Sequence, residues 1–146
     1  MIMEAIANPS FTPANALRGN HRTLRITYWS LLILFSLAMF MDGIAGVVRE
    51  QTGQEVMRHL GYPIYAMVIL GTAKILGVAA LLQPRFKTIN EWAYAGFTIN
   101  FIGATASWAF AGGGIGALVP PLVMLAVLFL LYFVRNRFDR VRMAYS

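Results

Sequence analysis

Four long apolar runs leave this chain few folds to choose from. The first, RITYWSLLILFSLAMFMDGIAGVV, covers about 25–48 and the second about 64–83. The third, WAYAGFTINFIGATASWAFA, covers about 92–111, and the fourth, LVPPLVMLAVLFLLYFV, about 118–134. Runs of roughly 18 or more apolar residues are long enough to cross a bilayer. In hydrocarbon the backbone must bond to itself, so such runs are helical. The expected fold is all-α: a polytopic membrane protein, a four-transmembrane-helix bundle with a short interfacial helix between helices 1 and 2. Only 12% of the side chains are charged, about half the density of a soluble domain. The expected organisation is a cytoplasmic N-terminal tail at 1–24, a helical domain at 25–134 and a basic cytoplasmic tail at 135–146. The tail at 1–24, with Pro9 and Pro13, is expected to be largely without order. It carries no small-residue cleavage site, so the first helix is expected to serve as an uncleaved signal anchor.

The net charge of +6 raises the question of nucleic acid, and the placement of the charge argues against it. Arg18, Arg22, Arg25, Arg85, Lys87, Arg135, Arg137, Arg140 and Arg142 fall in three segments that four spans put on one side. Arg49 and Arg58 fall on the other. By the positive-inside rule both termini are cytoplasmic, and the basic residues read as orientation signals that also attract anionic lipid. Tyr28, Trp29, Trp92, Tyr94 and Tyr132 fall near one interface, Tyr62, Tyr65 and Trp108 near the other, as amphipathic rings prefer.

The connections follow the same logic. In REQTGQEVMRHLG, residues 49–61, Val56, Met57 and Leu60 share one side and charges the other, the pattern of a short helix on a membrane surface. Gly61 and Pro63 would stop it. TINE at 88–91 matches a capping box, Thr88 and Glu91 serving the free amides of the third span. Pro120 and Pro121 fit the first turn of the fourth, where a missing N–H does no harm.

Three polar residues lie deep: Lys74 at the centre of the second span, Asn100 at the centre of the third, and Asp42 on the first. Helical side chains lean toward the N-terminus. Helices one and two run in opposite directions, so Lys74 and Asp42 lean toward a common depth. If the helices are neighbours, as consecutive spans often are, the two form a buried ion pair. An unpaired charge at that depth costs about 2.5–3.5 kcal/mol or more. Three readings are open: a polar pocket for a small ligand, anion or head group, or a proton path; a structural pair that fixes register; or a lysine that snorkels alone. Asn100 reads as a hydrogen-bonded bridge between helices or as a pocket residue. Gly71, Gly77, Gly96 and Gly103 read as close-packing positions.

Other motifs are weak. Glu55 and His59 share a helix face but are half a metal site at most, so no metal is expected. AGGGIG lacks the Lys-Ser/Thr of a phosphate loop. Cysteine is absent, which removes thiolate chemistry. No nucleophile–base arrangement is evident.

HLGYPIYAMVILGTAKILGVAALL (59–82) followed by NEWAYAGFTINFIGATAS (90–107) resembles the DoxX-like family of small bacterial membrane proteins over about 41–134. The motif positions matched are Gly61, Tyr62, Pro63, Lys74, Gly77, Glu91, Trp92, Tyr94 and Gly96. The resemblance implies four helices in a bacterial inner membrane. It also implies quinone-linked redox systems, from one of which the family takes its name. Where relatives often have Ser-His, this chain has Ser107-Trp108, which removes a candidate proton carrier. The lack of cysteine separates it from thiol-redox relatives. The expected role is non-catalytic: an accessory component of a membrane redox assembly, with a small polar pocket around Lys74, and not an enzyme by itself. A quinone-linked oxidoreductase subunit and a small-solute or proton carrier are the alternatives. Expected partners are the lipid bilayer, other membrane or redox proteins, and a second copy; quinone is the cofactor candidate.

Overall fold

A computed structural model describes the backbone of residues 13–144, and the side chains of 22–140 and 143. The start of the expected N-terminal tail, with Pro9, and the Arg142 side chain lie outside the described residues. Five helices are present: α1 (Pro13–Val47), α2 (Gln51–His59), α3 (Tyr65–Leu82), α4 (Lys87–Phe110) and α5 (Ile115–Ala144). There is no strand among the described residues. α1 begins well before the expected span and α5 continues past it, so part of each expected tail is helical.

The four long helices form a ring. α1 packs against α3 and α5, and α4 packs against the same two. Each contributes a narrow apolar stripe at helical spacing. On α4 the buried residues are Asn90, Ala93, Tyr94, Phe97 and Phe101; on α3 they are Met67, Gly71, Val78 and Leu81. Leu32, Phe35, Leu128 and Leu131 complete the interior, each 2% exposed or less. Phe35 meets Phe97 edge to face at 5.4 Å, a favoured aromatic geometry. The outward faces are also apolar: Ile33, Leu34, Leu37, Phe129 and Phe133 are all more than half exposed. A polar solvent disfavours so much apolar surface, and a bilayer accepts it.

α1 and α3 cross backbone to backbone. A Cβ built on Gly71 would lie 2.6 Å from the Gly43 carbonyl oxygen and 2.9 Å from the Val47 nitrogen. A Cβ on Gly46 would lie 2.9 Å from the Met67 oxygen. Gly77 lies under the Phe97 ring, 2.8 Å from where its Cβ would be. Gly96 and Gly103, grouped with them in the sequence, have nothing within 4 Å, so close packing is not their role within this chain.

Three helices end alike. After α2, the Tyr62 amide bonds Met57 O at 2.8 Å and the Gly61 amide bonds Arg58 O at 3.2 Å. After α4, Gly113 and Gly112 bond Trp108 and Ala109 in the same way, at 2.8 and 3.3 Å. This is the Schellman closure, which requires a left-handed residue, supplied by Gly61 (φ 76°) and Gly112 (φ 71°). AGGGIG is thus a helix terminator. α1 closes likewise, through Glu50 to Ala45 at 3.0 Å, but with Arg49 at φ 55°.

Two local expectations are corrected. α4 begins at Lys87 after Phe86 and has no side-chain cap; Thr88 lies inside the first turn, so the capping box does not form. α5 begins at Ile115, so Pro120 and Pro121 lie within the helix, beyond its first turn. They deprive the Gly116 and Ala117 carbonyls of their usual partners, a loss membrane helices tolerate.

Candidate functional site: a polar pair at the meeting of two cavities

Lys74 Nζ donates to Asp42 Oδ2, linking α3 to α1. This is the contact toward which the opposed leans of the two side chains point. The glycine crossing makes it reachable, since Gly71 is one turn from Lys74 and Gly43 is next to Asp42. The pair is not packed shut. The Lys74 side chain is 21% exposed and that of Asp42 is 52% exposed.

The exposure opens onto two cavities that share Leu70 and Lys74. The larger, about 400 Å³, lies between α1, α2 and α3. Asp42, Gly46 and Gly71 line its α1–α3 side, Thr52, Val56 and Met57 its α2 side, and Trp108 closes it toward α4. The smaller, about 190 Å³, lies between α3 and α4 and is lined by Lys74, Gly77, Trp92, Gly96, Phe97 and Asn100 among others. Lys74 and Asn100 therefore share a chamber. Among the described residues Asn100 makes no hydrogen bond across helices, so the bridging reading of this residue is corrected.

α2 is tied down at both ends. Glu50 caps it, accepting from the Gly53 amide at 3.1 Å. The Thr52 hydroxyl, and then the amides of Gly53 and Thr52, hold the Glu50 carboxyl below its usual range. At the other end Tyr62 Oη meets Ser107 Oγ at 2.8 Å. Ser107 donates onward to Gly103 O at 2.8 Å, so Tyr62 is the donor. His59 lies against Trp108 at 5.5 Å. Ser107 and Trp108 thus form part of the anchor of α2 and of the cavity wall. Gly61 and Pro63 turn the chain between α2 and α3. Glu91 is exposed and lines a separate cavity of about 210 Å³ with Tyr94 and Tyr132.

A second polar group lies at the opposite end, beside the α3–α4 loop, and the sequence reading missed it. Asn90 is 5% exposed. Its amide donates to Leu81 O at 2.8 Å and to Ala80 O at 3.2 Å, the orphan carbonyls of the last turn of α3. Its oxygen accepts from Arg135 Nη1. Arg135 also lies 5.5 Å over the Tyr94 ring and 3.8 Å from Asp139. The one signal available was the Asn at the start of α4 following a Gln83-Pro84 break.

Chemically, the Lys74 pair can bind and orient. An ammonium carries three donors, and Asp42 takes one. Two donors and the Asn100 amide can meet a carbonyl or anionic oxygen. Among the described residues no three His, Asp or Glu side chains group as a metal site would need.

Three helices, Arg22–Val47, Tyr65–Leu82 and Ile115–Arg140, are long and apolar enough to cross a membrane, and with the apolar outer surface they define a helical membrane protein. α4, expected as a span, is not among them; its Asn, Thr, Ser and Glu residues dilute its apolar content. Within that class the DoxX-like family model matches residues 30–131, and the chain belongs to this family. Comparison with curated proteins and with solved structures finds no match.

Proposed function

We propose that this protein is a four-span, non-catalytic accessory component of a membrane assembly, and that it holds a small ligand against Lys74 and Asp42. The carrying observation is that Lys74 lines two cavities while paired with Asp42, which borders the larger of them. A purely structural pair would be packed over. A snorkelling lysine would have no partner.

α4 is the fourth span on this reading. Its 24 residues reach about 36 Å, and Ile99 and Ile102 point outward, more than half exposed. The distribution of basic segments supports a reading with both termini in the cytoplasm of a bacterium and α2 on the far surface of the inner membrane. The family resemblance supports a redox assembly as the setting. A quinone ring is the favoured ligand class: the smaller chamber offers donors at Lys74 and Asn100 between aromatic walls, Trp92 and Phe97.

The test is native mass spectrometry of the gently solubilised chain beside the double variant Lys74→Met/Asp42→Asn. Removing both charges of a buried pair is often near neutral for stability, so the fold is retained. A small molecule held by the parent and lost by the double variant supports the reading. Equal occupancy in both refutes it.

A further inference from the structure

We propose that the α3–α4 loop end holds one anionic phospholipid, its phosphate at Arg135 and Lys87 and one acyl chain in the groove between α1 and α3. This site is separate from the Lys74 pocket.

The polar part is a cavity of about 150 Å³, enough for a phosphate-sized group and too small for a whole lipid. Lys87, Asn90, Arg135 and Asp139 line it, with Trp29 at its edge. The Arg135 side chain is only 11% exposed. Its guanidinium has five donors, and among the described residues one is taken in a hydrogen bond, by Asn90. Asn90 is itself fixed by two helix-end carbonyls, so Arg135 is held in place before any ligand arrives. Two cations face one carboxylate, 3.8 Å from Arg135. The single surplus charge matches one phosphodiester.

The apolar part continues from there. Leu82 lines both the polar cavity and a groove of about 430 Å³. The groove runs along α3 from Leu82 to Ile75, about 10 Å, with Ile33, Leu37 and Phe40 opposite. All its lining side chains are apolar except Ser36. Ser36 is 4% exposed, and its hydroxyl has no hydrogen-bond partner among the described residues. The Ser36 oxygen is closed off from the groove, so the groove presents an apolar surface to its occupant. The cationic cavity and the apolar groove contiguous with it together select a phospholipid over a free anion or a bare hydrocarbon chain.

The experiment titrates the full chain, in detergent, with phosphatidylglycerol, phosphatidylcholine or inorganic phosphate, and reads adducts by native mass spectrometry. Lys87→Gln removes one cation at an exposed position. Ala79→Phe fills the groove at another. Arg137→Gln is the control, an exposed cation that does not line the cavity. Neither test position is buried, so both variants should melt with the parent. Phosphatidylglycerol should bind in preference to phosphatidylcholine. Lys87→Gln should weaken it roughly fivefold, Ala79→Phe by at least as much, and Arg137→Gln not at all. Equal loss in Arg137→Gln would mean diffuse attraction and overturn the site. So would phosphate binding as tightly as lipid and indifferent to Ala79→Phe, which marks a free-anion site, or a dimer mass in place of the adduct, which gives the groove to a second copy.

Discussion

The two ends of the helix ring hold their charges in opposite ways. At the α2 end, α1 and α3 touch through glycine backbone, and the Lys74–Asp42 pair borders open space. At the α3–α4 loop end a buried Asn90 joins Arg135 to the helix-end carbonyls of α3. One end is joined by contact between backbones, the other by a buried side chain that reaches a helix end. A charge in a membrane protein can be accommodated either by a mate beside a cavity or by a buried network that fixes its position, and this chain uses both.

The sharpest way to break the contrast is Gly71→Ala. Its Cβ would strike backbone atoms of Gly43 and Val47, which cannot swing aside, so α1 and α3 must separate. We expect a loss of about 3 kcal/mol in reversible unfolding in mixed micelles. Gly96→Ala, with nothing within 4 Å, should be neutral or stabilise by up to about 1 kcal/mol through helix propensity. Similar losses at both positions would mean that the crossing does not hold this end.

Next comes Asn90→Ala, which strands two carbonyls and one donor of Arg135. The expected loss is about 2 kcal/mol. Lys74→Met should cost less, about 1 kcal/mol, because the stranded Asp42 carboxylate borders an open cavity and not hydrocarbon, where the cost would be about 2.5–3.5 kcal/mol. The double change with Asp42→Asn should recover most of that. If Lys74→Met proved the more damaging of the two, the α2 end would be the closed one.

The sequence made some of this legible and hid the rest for physical reasons. Long apolar runs announce helices, and the opposed leans of Lys74 and Asp42 follow from helix direction alone. Gly71 and Gly77 were visible as small residues in a span. Gly43 and Gly46, which meet Gly71, carry no signal of that contact, because the crossing point depends on which faces meet. Gly96 and Gly103 carried the same signal and pack against nothing. Arg135 read as a topological charge in a tail because a basic cluster follows it; its partner Asn90 lies 45 residues away. The capping box failed because the helix started one residue before Thr88, and a cap works only at the boundary. α4 falls short of a span by hydropathy, since its Asn, Thr, Ser and Glu residues dilute its apolar content.

The smallest effect expected concerns the anchoring of α2. Glu50 is held below its usual carboxylate range by the Thr52 hydroxyl and the amides of Gly53 and Thr52. A carboxyl whose folded pKa is depressed contributes fully above its unfolded value and loses that contribution as pH falls through the folded value. The cap should therefore hold at neutral pH and weaken as pH falls below about 4.5, the usual value for the group. Amide exchange of Gly53 and Gln54 should rise there, while exchange at Asn90 and Leu81, whose amides donate to no carboxylate, should not. Glu50→Gln should show the faster exchange of α2 already at neutral pH and little further change on acidification. Parallel acid sensitivity at both ends would instead mean global unfolding and would remove Glu50 as the local cause.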